Sequence, residues 1–354
     1  MRFAHLADSH LGYRQYNLSE REKDFYEVFN NTVDKIIESD VDFVIHSGDL
    51  FDMHKPGPET LLEFQKAFLR LKDANIPVYA IAGNHDSVAK KGSFPPQIIF
   101  KELGLRLISL KKPAYVHGGV LICGMPFTQK TQKRVLIERL NELSKLTKNY
   151  PKSILVLHQG IDKYLPYDYE LEIGDLPLNF DYYAMGHIHN YINEKFGRGR
   201  LVYPGSGEIS RSNEVNDYIK NGKGFVLVDI SPDDMPVVER VKVDMPRQFI
   251  KEYIDYPQLN EKLQYIKESI QFLSNKPILE IIVEKGNFNA SDVYEVIQDT
   301  LGEYALTIRP EFKPDESISI ETMINDGESL DPRNLIIDSL DKKYHKKEIN
   351  NLSI

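Results

Sequence analysis

Histidine, aspartate and asparagine side chains follow a series of apolar runs in this chain. Five blocks share this pattern, and they are Asp8-Ser9-His10, Gly48-Asp49, Gly83-Asn84-His85-Asp86, His158-Gln159-Gly160 and Gly186-His187-Ile188-His189. Imidazole nitrogens and oxygen donors without a thiolate suit Mn²⁺, Fe or Zn²⁺, and they disfavour a Ca²⁺ site or an iron–sulfur cluster. The residue types therefore predict a metal site.

The spacing inside two of the blocks supports this interpretation. Asp8 and His10 are two positions apart, so in an extended segment both side chains leave the same face and can share one ion. His187 and His189 repeat this spacing, and the Asp49 carboxylate is able to bridge two cations. Any one of these residues, considered alone, is better explained as a polar residue in a turn than as a metal ligand. Their joint occurrence favours the metal site.

Apolar runs and helical periodicity predict the elements that carry these blocks. Strands are predicted over 3–8, 41–47, 77–82, 105–109, 114–117, 120–124, 153–157, 182–185 and 225–230, and helices over 19–37, 58–75 and 131–147. Strands that alternate with helices favour an α/β fold with a mostly parallel sheet covered on both faces. All five blocks are then expected at one edge of that sheet, where ligands bind in open α/β folds.

Composition restricts the class of protein. The chain has 354 residues, of which 41% are hydrophobic and 27% charged, so two domains with ordinary cores are expected. No run approaches the ~18 apolar residues of a membrane span, and a cytoplasmic protein is predicted. The net charge of -9 means that any nucleic acid would need local basic patches. The single cysteine, Cys123, lies in an apolar run and is expected to be a buried, inert thiol.

The metal-ligand residue types stop clustering after about residue 230. Residues 1–230 are therefore predicted to form the catalytic domain, and residues 231–313 a small α+β capping domain with two helices. Residues 314–354 are richer in charge and contain one short amphipathic stretch, 335–340. This tail is either a loose solvated end or a segment that binds a partner.

The order Asp-x-His, Gly-Asp, Gly-Asn-His-Asp, His and Gly-His-x-His resembles the calcineurin-like dinuclear metallophosphoesterases across residues 1–230. The resemblance implies a β-sandwich core flanked by helices. It also implies two metal sites, the first held by Asp8, His10, Asp49 and His189 and the second by Asp49, Asn84, His158 and His187. Two such cations clamp a phosphate, lower the pKa of a bridging water and stabilise the attacking and leaving oxygens.

The same resemblance gives His85 a catalytic role without a metal contact. It is expected to stand over the leaving oxygen as a polariser or general acid. Asp86 would orient His85 through its other ring nitrogen, or else cap a helix. Both possibilities for Asp86 stay open.

Within that superfamily the chain is similar to double-strand-break-repair nucleases of the SbcD type, in their archaeal form. The segments that carry this similarity are 3–12, 46–52, 83–86, 182–189 and Tyr203-Pro204-Gly205-Ser206. The similarity implies a nucleoid-associated homodimer that cuts DNA with two Mn²⁺ per chain, as a 3'–5' exonuclease and single-strand endonuclease. It also implies an SMC-like zinc-hook ATPase as partner, bound through the C-terminal tail.

One departure concerns the residue just past the bridging aspartate. Many relatives carry a histidine where this chain has Asp52, and that histidine is thought to position the phosphate. Either His54 takes its place or the step is slower, and both possibilities stay open.

Loop residues near the five blocks are candidates for DNA contact, through phosphates or through stacking on bases. They are Tyr13, Tyr16, Lys90, Lys91, Tyr169 and Arg211. Surplus apolar residues on the helices near 58–72 and 93–103 suggest a dimer surface, or simply a wide core face. Two other functions stay open, namely hydrolysis of a nucleotide or other small phosphoester, and a scaffold that mainly bridges DNA ends.

Overall fold

Two six-stranded sheets form the centre of the first of two structural units. The computed structural model describes residues 1–87, 94–231 and 234–314. The first unit consists of Met1–Ile250 and Leu273–Ile278, and the second of Lys251–Phe272 and the chain from Leu279 onward.

Strands and α-helices alternate only at the start of the chain, up to about residue 80. The strands are β1 Arg2–Leu6, β2 Phe43–His46, β3 Val78–Ala80, β4 Arg106–Leu107, β5 Ala114–His117, β6 Val120–Met125, β7 Lys152–His158, β8 Tyr182–Gly186, β9 Ile192–Phe196, β10 Gly199–Tyr203, β11 Gly224–Asp229, β12 Val237–Lys242, β13 Phe249–Asp255, β14 Ile278–Glu284 and β15 Thr307–Lys313. The α-helices are α1 Ser19–Glu38, α2 Pro58–Asp73, α3 Lys133–Leu146, α4 Val215–Asn221, α5 Leu259–Ile270 and α6 Ala290–Leu301.

The first unit contains two mixed sheets. The first has the order β12-β11-β1-β2-β3-β4 and the second β5-β6-β7-β8-β10-β9. Strands β1 to β4 are parallel to one another, as are β6, β7, β8 and β10, whereas β11, β12, β5 and β9 pair antiparallel at the edges. The β-sandwich flanked by helices is therefore confirmed, and the expectation of one mostly parallel sheet is wrong.

Alternation along each strand builds three apolar layers. Phe3 packs between the two sheets with Phe43 and Tyr182, whereas Ala4 faces the layer that α1 and α2 cover. On the outer face of the second sheet, Leu155 packs against a layer that includes Leu140 of α3. A strand that is buried on both faces has the same apolar sequence whether helices or a second sheet cover it. This explains why the apolar runs by themselves indicated one sheet, whereas the family resemblance implied the sandwich.

The register of the parallel strands brings the predicted ligands to one edge. Leu6 pairs with His46, and His46 pairs with Ala80, so the segments after β1, β2 and β3 leave the first sheet side by side. In the second sheet His158 pairs with Gly186, which directly precedes His187. The five blocks therefore come from two sheets, not from one.

The second unit contains the sheet β13-β14-β15 with α5 and α6. Leu263 and Ile266 of α5, Ile281 of β14, and Val293 and Ile297 of α6 are buried. The sequence did not predict β13 or the hairpin of β9 and β10. Within the described ranges, no helix is both long enough and apolar enough to cross a membrane.

The two segments predicted to form a dimer surface differ in structure. The helix near 58–72 is present as α2, but the segment near 93–103 contains only a short 3₁₀ turn, Pro96–Phe100, among its described residues. Pro95 and Pro96 provide no backbone N–H groups, and Gly104, with φ of 113°, reverses the chain soon afterwards. The prediction of a second regular helix is wrong.

Candidate metal centre

The loops after the central strands are held together by backbone hydrogen bonds and carry strained residues. Asp8 N–H donates to Gly48 O at 3.0 Å, and His10 N–H to Asp49 O at 3.1 Å. Asp8, His10, Asp49 and His187 have φ values of 52°, 43°, 50° and 92°. Such left-handed conformations are uncommon outside glycine and concentrate at functional sites. The predicted ligands therefore stand in an unusual backbone arrangement.

The glycines of two motifs permit close approach of the ligands. A Cβ atom at Gly48 would overlap the His158 ring, and one at Gly83 would overlap the Asp49 carboxylate. Gly48 therefore lets a ligand of the second sheet approach the loop after β2, and Gly83 lets the loops after β2 and β3 of the first sheet approach each other.

One group of donors lies around His10 and His189. Their Nε2 atoms are 3.1 Å apart, although the Nδ1 atom of each ring already faces a carboxylate. His10 Nδ1 lies 3.4 Å from Asp52 Oδ1, and His189 Nδ1 donates to Glu214 Oε1 at 2.8 Å. When each ring is neutral and carries its hydrogen on Nδ1, toward the carboxylate, the two Nε2 lone pairs point at each other. A divalent cation between them would turn that repulsion into coordination.

A second group lies around His158 and Asn84. His158 Nδ1 donates to the backbone carbonyl of Ser47 at 2.8 Å, so in the neutral ring Nε2 is the acceptor. That Nε2 lies 3.0 Å from Asn84 Oδ1 and 3.3 Å from Asp49 Oδ2. Asn84 Oδ1 is also 2.8 Å from His187 Nδ1. Here too, acceptors converge in a way that a cation would satisfy.

Asp49 and Asp8 border both groups. Asp49 Oδ2 lies 3.8 Å from His10 Nε2 as well as 3.3 Å from His158 Nε2. Asp8 Oδ1 lies 3.8 Å from His189 Nε2 and 4.0 Å from His158 Nε2. Asp49 is thus placed as a bridging carboxylate should be.

The electrostatics of the site favour positive charge. Burial alone would lower the pKa of His158, but the Asp49 and Asp8 carboxylates raise it to about 9. Burial would likewise raise the pKa of Asp49, yet His158 and His10 hold it well below its ordinary value. Carboxylates that stabilise the protonated form of a neighbouring imidazole so strongly would also attract metal cations. The residues therefore fit a dinuclear divalent metal site.

His85 borders the first group and is oriented by Asp52. Its Nδ1 donates to the backbone carbonyl of Asp52 at 2.8 Å, and Asp52 Oδ1 lies 3.6 Å from the same nitrogen. The His85 ring is 4.7 Å from the His10 ring, and its side chain is 34% exposed. Among the described histidines of the site that have a carboxylate neighbour, His85 therefore has the most exposed side chain.

Asp86 does not have the orienting role considered from the sequence. Its carboxylate accepts hydrogen bonds from the backbone N–H groups of Leu50, Phe51 and Gly83, at 3.0, 2.9 and 3.2 Å. It is fully buried, and burial with the nearby Asp49 charge raises its pKa to about 7. Asp86 therefore ties together the two loops that carry Asp49 and Asn84.

A polar cluster supports His189, and the sequence did not predict it; all its members except the half-buried Ser210 are buried. Its members are Ser206, Ser210, Glu214 and Lys223. Burial would raise the pKa of Glu214, but Lys223 and His189 hold it well below the ordinary value. Ser206 belongs to a motif noted in the sequence, whereas Glu214 and Lys223 lie in a polar stretch with no recognisable spacing. They come close to His189 only because the chain folds back past the site, and the sequence does not record that path.

Phe127 is a second residue that the sequence did not single out. Its ring lies 6.0 Å from the His187 ring and 6.3 Å from the His158 ring. It lies two residues after the end of β6 and is half-buried. Phe127 therefore forms an apolar border on the side of the second ligand group.

The predicted DNA contacts occupy different surroundings. Tyr13 packs against Phe25 with ring centroids 5.5 Å apart, and Tyr16 packs partly against an apolar cluster that includes Ile209. Lys130 Nζ lies 3.7 Å from the centre of the Tyr169 ring. Arg211 is exposed. Lys90 and Lys91 lie outside the described residues, and His54, considered as a replacement for the family histidine, is exposed.

Comparisons with known proteins agree with this geometry. Residues 1–191 match the family model described as calcineurin-like phosphoesterase. The DNA double-strand break repair protein Mre11 of Methanocaldococcus jannaschii is 39% identical over 341 residues, which cover 96% of this chain and 89% of that protein. The proteins of the same name from Methanococcus maripaludis and Saccharolobus solfataricus are 40% and 39% identical, over 82% and 79% of this chain and 80% and 74% of theirs.

Proposed function

This chain belongs to the calcineurin-like phosphoesterase family, and we propose that it is a Mn²⁺-dependent nuclease that hydrolyses DNA phosphodiesters in double-strand break repair. The observation that carries the proposal is the convergence of Asp49 with His10 on one side and His158 on the other, at 3.8 and 3.3 Å. The relatives named DNA double-strand break repair protein, which align over most of the chain, support DNA as the substrate.

The ligand roles follow from the two groups of donors. Asp8, His10, Asp49 and His189 would hold the first cation, and Asp49, Asn84, His158 and His187 the second. When bound, two such cations supply an activated water and stabilise charge on the phosphate oxygens. The chain's own residues fix the tautomers, because Ser47 O accepts the Nδ1 hydrogen of His158 and leaves its Nε2 free. Nitrogen and oxygen donors of this kind are compatible with Mn²⁺.

His85 is proposed as the catalytic residue at the leaving oxygen. With its Nδ1 hydrogen donated to Asp52 O, its Nε2 is the nitrogen available to a substrate. A protonated Nε2 would donate to the leaving oxygen and deliver the proton when the phosphodiester breaks. Because His85 is only partly buried, a substrate strand has access to it.

An exposed apolar surface on the first unit supports a homodimer. Leu62 on α2 is 50% exposed, and Phe94 and Ile99 are 62% and 52% exposed. Burying large apolar side chains of this kind between two copies would stabilise a dimer. We therefore keep the dimer as a proposal, with α2 and the 3₁₀ turn Pro96–Phe100 as its surface.

The remaining partners are proposed from the family resemblance. The second unit would be the capping domain, and the tail 314–354 would bind an SMC-like ATPase, although that tail lies outside the described residues. Arg211 and the Lys130–Tyr169 pair would contact the DNA strand, and the protein would act in the nucleoid.

Cleavage of single-stranded and duplex DNA in the presence of Mn²⁺ tests the proposal. The wild-type protein should cut DNA, and His85→Gln should retain both metals but lose ~10²–10⁴-fold in rate, the usual contribution of a general acid. The metal content of each protein, measured by mass spectrometry, shows whether the slower variant has lost a metal ion or only the proton transfer. Turnover of a small phosphomonoester far above that of any DNA would contradict the nuclease assignment.

A further inference from the structure

A buried charged pair supports His189 on the side away from the proposed metal. Glu214 Oε1 accepts hydrogen bonds from His189 Nδ1 at 2.8 Å and from Ser210 Oγ at 2.7 Å. Its other oxygen, Oε2, pairs with the Lys223 ammonium and accepts from Ser206 Oγ at 3.0 Å. Glu214 and Lys223 are 2% and 1% exposed. The carboxylate therefore has all these partners inside the protein.

Lys223 also fixes the backbone of the same histidine. Its Nζ donates to His189 O at 3.2 Å and to Ser206 Oγ at 2.6 Å, in addition to the pair with Glu214. Ser206 N–H donates to His189 O as well, at 3.1 Å. Because a lysine ammonium has three donors, these three partners satisfy it completely. The pair thus constrains both the ring and the carbonyl of His189.

The pair comes from a part of the chain beyond the phosphoesterase family match, which ends at residue 191. Glu214 ends the 3₁₀ turn Ser212–Glu214, and Lys223 directly precedes β11. Burying two opposite charges is costly, and it rarely improves stability over apolar residues of similar size. A role in holding a ligand explains their position better than a contribution to stability does.

We propose that Glu214, held by Lys223, is a positioning residue for the first metal site. It keeps the hydrogen of His189 on Nδ1 and turns the Nε2 lone pair toward the position that His10 Nε2 also faces. The inference rests on the proposed function, since it assumes that His189 binds a metal. Carboxylate partners of metal-binding histidines typically change metal affinity by ~10–100-fold when they are removed.

Mn²⁺ titration of the full chain by calorimetry, with Glu214→Gln beside wild type, tests the proposal. The amide keeps the size of the side chain, but it places an N–H donor against either His189 Nδ1–H or the Lys223 ammonium. The expected result is a first-site affinity that is ~10–100-fold weaker and a second-site affinity within about threefold of wild type. In the metal-free protein, ¹⁵N NMR should show His189 shifting from the Nδ1–H tautomer to a mixture.

Glu208→Gln is the matched control. Glu208 is also a buried carboxylate in the same segment, but it pairs with Arg21 at 3.2 Å and accepts from Ile209 N–H at 2.8 Å. This variant should bind both Mn²⁺ ions as wild type does. An equal loss of first-site affinity in Glu208→Gln would overturn the proposal, because the effect would then follow from removing any buried charge.

The double variant Glu214→Gln/Lys223→Met addresses the risk that Glu214→Gln alone fails to fold. It removes both charges, so the buried ammonium is not left unpaired, and it should melt closer to wild type than the single variant. Weak first-site binding in the double variant supports the proposal, and wild-type affinity with an unchanged His189 tautomer overturns it. A wild-type chain that binds fewer than two Mn²⁺ would instead contradict the proposed function itself.

Discussion

His85 donates its Nδ1 hydrogen to the backbone carbonyl of Asp52 at 2.8 Å. The Asp52 carboxylate lies 3.6 Å from the same nitrogen and 3.4 Å from His10 Nδ1. One residue therefore borders both the proposed leaving-group histidine and a proposed ligand of the first metal. Its backbone sets the tautomer of His85, and its side chain faces both rings.

Asp52→Asn is expected to slow DNA cleavage by ~10–100-fold, because a neutral amide holds the two imidazoles less firmly than a carboxylate does. The backbone carbonyl that accepts from His85 stays in place, so the loss should be smaller than in His85→Gln. Steady-state cleavage at saturating Mn²⁺ measures the effect, with metal content determined in parallel. A rate equal to wild type would mean that the carbonyl alone orients His85.

Asp86→Asn is expected to act on stability. An amide can accept through one atom only, so at least one of the backbone N–H groups of Leu50, Phe51 and Gly83 would face an NH₂ group in a buried place. We expect the free energy of unfolding to fall by ~1–3 kcal/mol, as measured by urea denaturation. Unchanged stability would show that the two loops are held by other contacts.

These two aspartates illustrate what the sequence was able to predict. The ligand blocks were recognisable because each follows an apolar run and contains residue types that bind metals. Asp86 looked like the partner of His85 because it is adjacent in sequence, but the two side chains have different surroundings: Asp86 is buried against backbone N–H groups, and His85 is partly exposed. The Asp52–His85 contact joins the loops after β2 and β3. The sequence did not reveal that contact, because it depends on how these parallel strands align.

Lys223 was missed, and the apolar runs by themselves did not reveal the second sheet, for a related reason. Lys223 reaches His189 only because the chain returns past the site before β11, and no local pattern records that path. The apolar runs of β7 and β8 predicted buried strands correctly, but burial on both faces does not specify what covers each face. Local patterns therefore predicted most of the elements and marked the candidate ligands, and tertiary packing determined the supporting contacts.

Leu62→Asp is expected to convert the proposed dimer to monomers. Leu62 is 50% exposed on α2, whereas the neighbouring Leu61 packs partly against the core that α1 and α2 cover, so Leu61→Asp would also damage the fold. Size-exclusion chromatography with light scattering measures the mass. Val135→Asp is the matched control, because Val135 on α3 is 57% exposed and outside the proposed surface. A dimer that persists in Leu62→Asp would place the interface elsewhere.

His5 is expected to make stability depend on acid pH. It is buried, with Nδ1 2.9 Å from Tyr182 Oη and Nε2 2.8 Å from Ser47 Oγ, and burial with the nearby His46 lowers its pKa from 6.5 to about 3. The unfolded chain therefore takes up a proton at a higher pH than the folded protein. Stability is fully present above about pH 6.5 and falls toward pH 3, by up to ~1.4 kcal/mol per pH unit for this proton.

Urea unfolding of wild type and His5→Gln between pH 7 and pH 4 measures this contribution. Glutamine does not titrate, so the variant should lose less stability on acidification even if it is less stable at pH 7. Metal-free protein should be used for both, so that the metal ligands titrate equally in each. Parallel pH profiles would show that His5 is able to accept a proton inside the fold.

Removal of divalent metal is expected to lower the melting temperature of the wild-type protein. The Nε2 atoms of His10 and His189 lie 3.1 Å apart and His158 Nε2 lies 3.0 Å from Asn84 Oδ1, so acceptors face acceptors until a cation or a proton separates them. Mn²⁺ at a thousand times its dissociation constant should stabilise the folded state by ~4 kcal/mol for each site that binds. Differential scanning calorimetry with a chelator, and then with excess Mn²⁺, measures both steps.

Asp49→Asn provides the comparison for this experiment. Asp49 Oδ2 lies within 3.8 Å of His10 Nε2 and 3.3 Å of His158 Nε2, so the substitution weakens both proposed sites at once. The rise in melting temperature on adding Mn²⁺ should therefore be much smaller in Asp49→Asn than in wild type, while the metal-free proteins differ less. An equal rise in both proteins would mean that Mn²⁺ stabilises the chain through a site that does not include Asp49, and the bridging role would have to be abandoned.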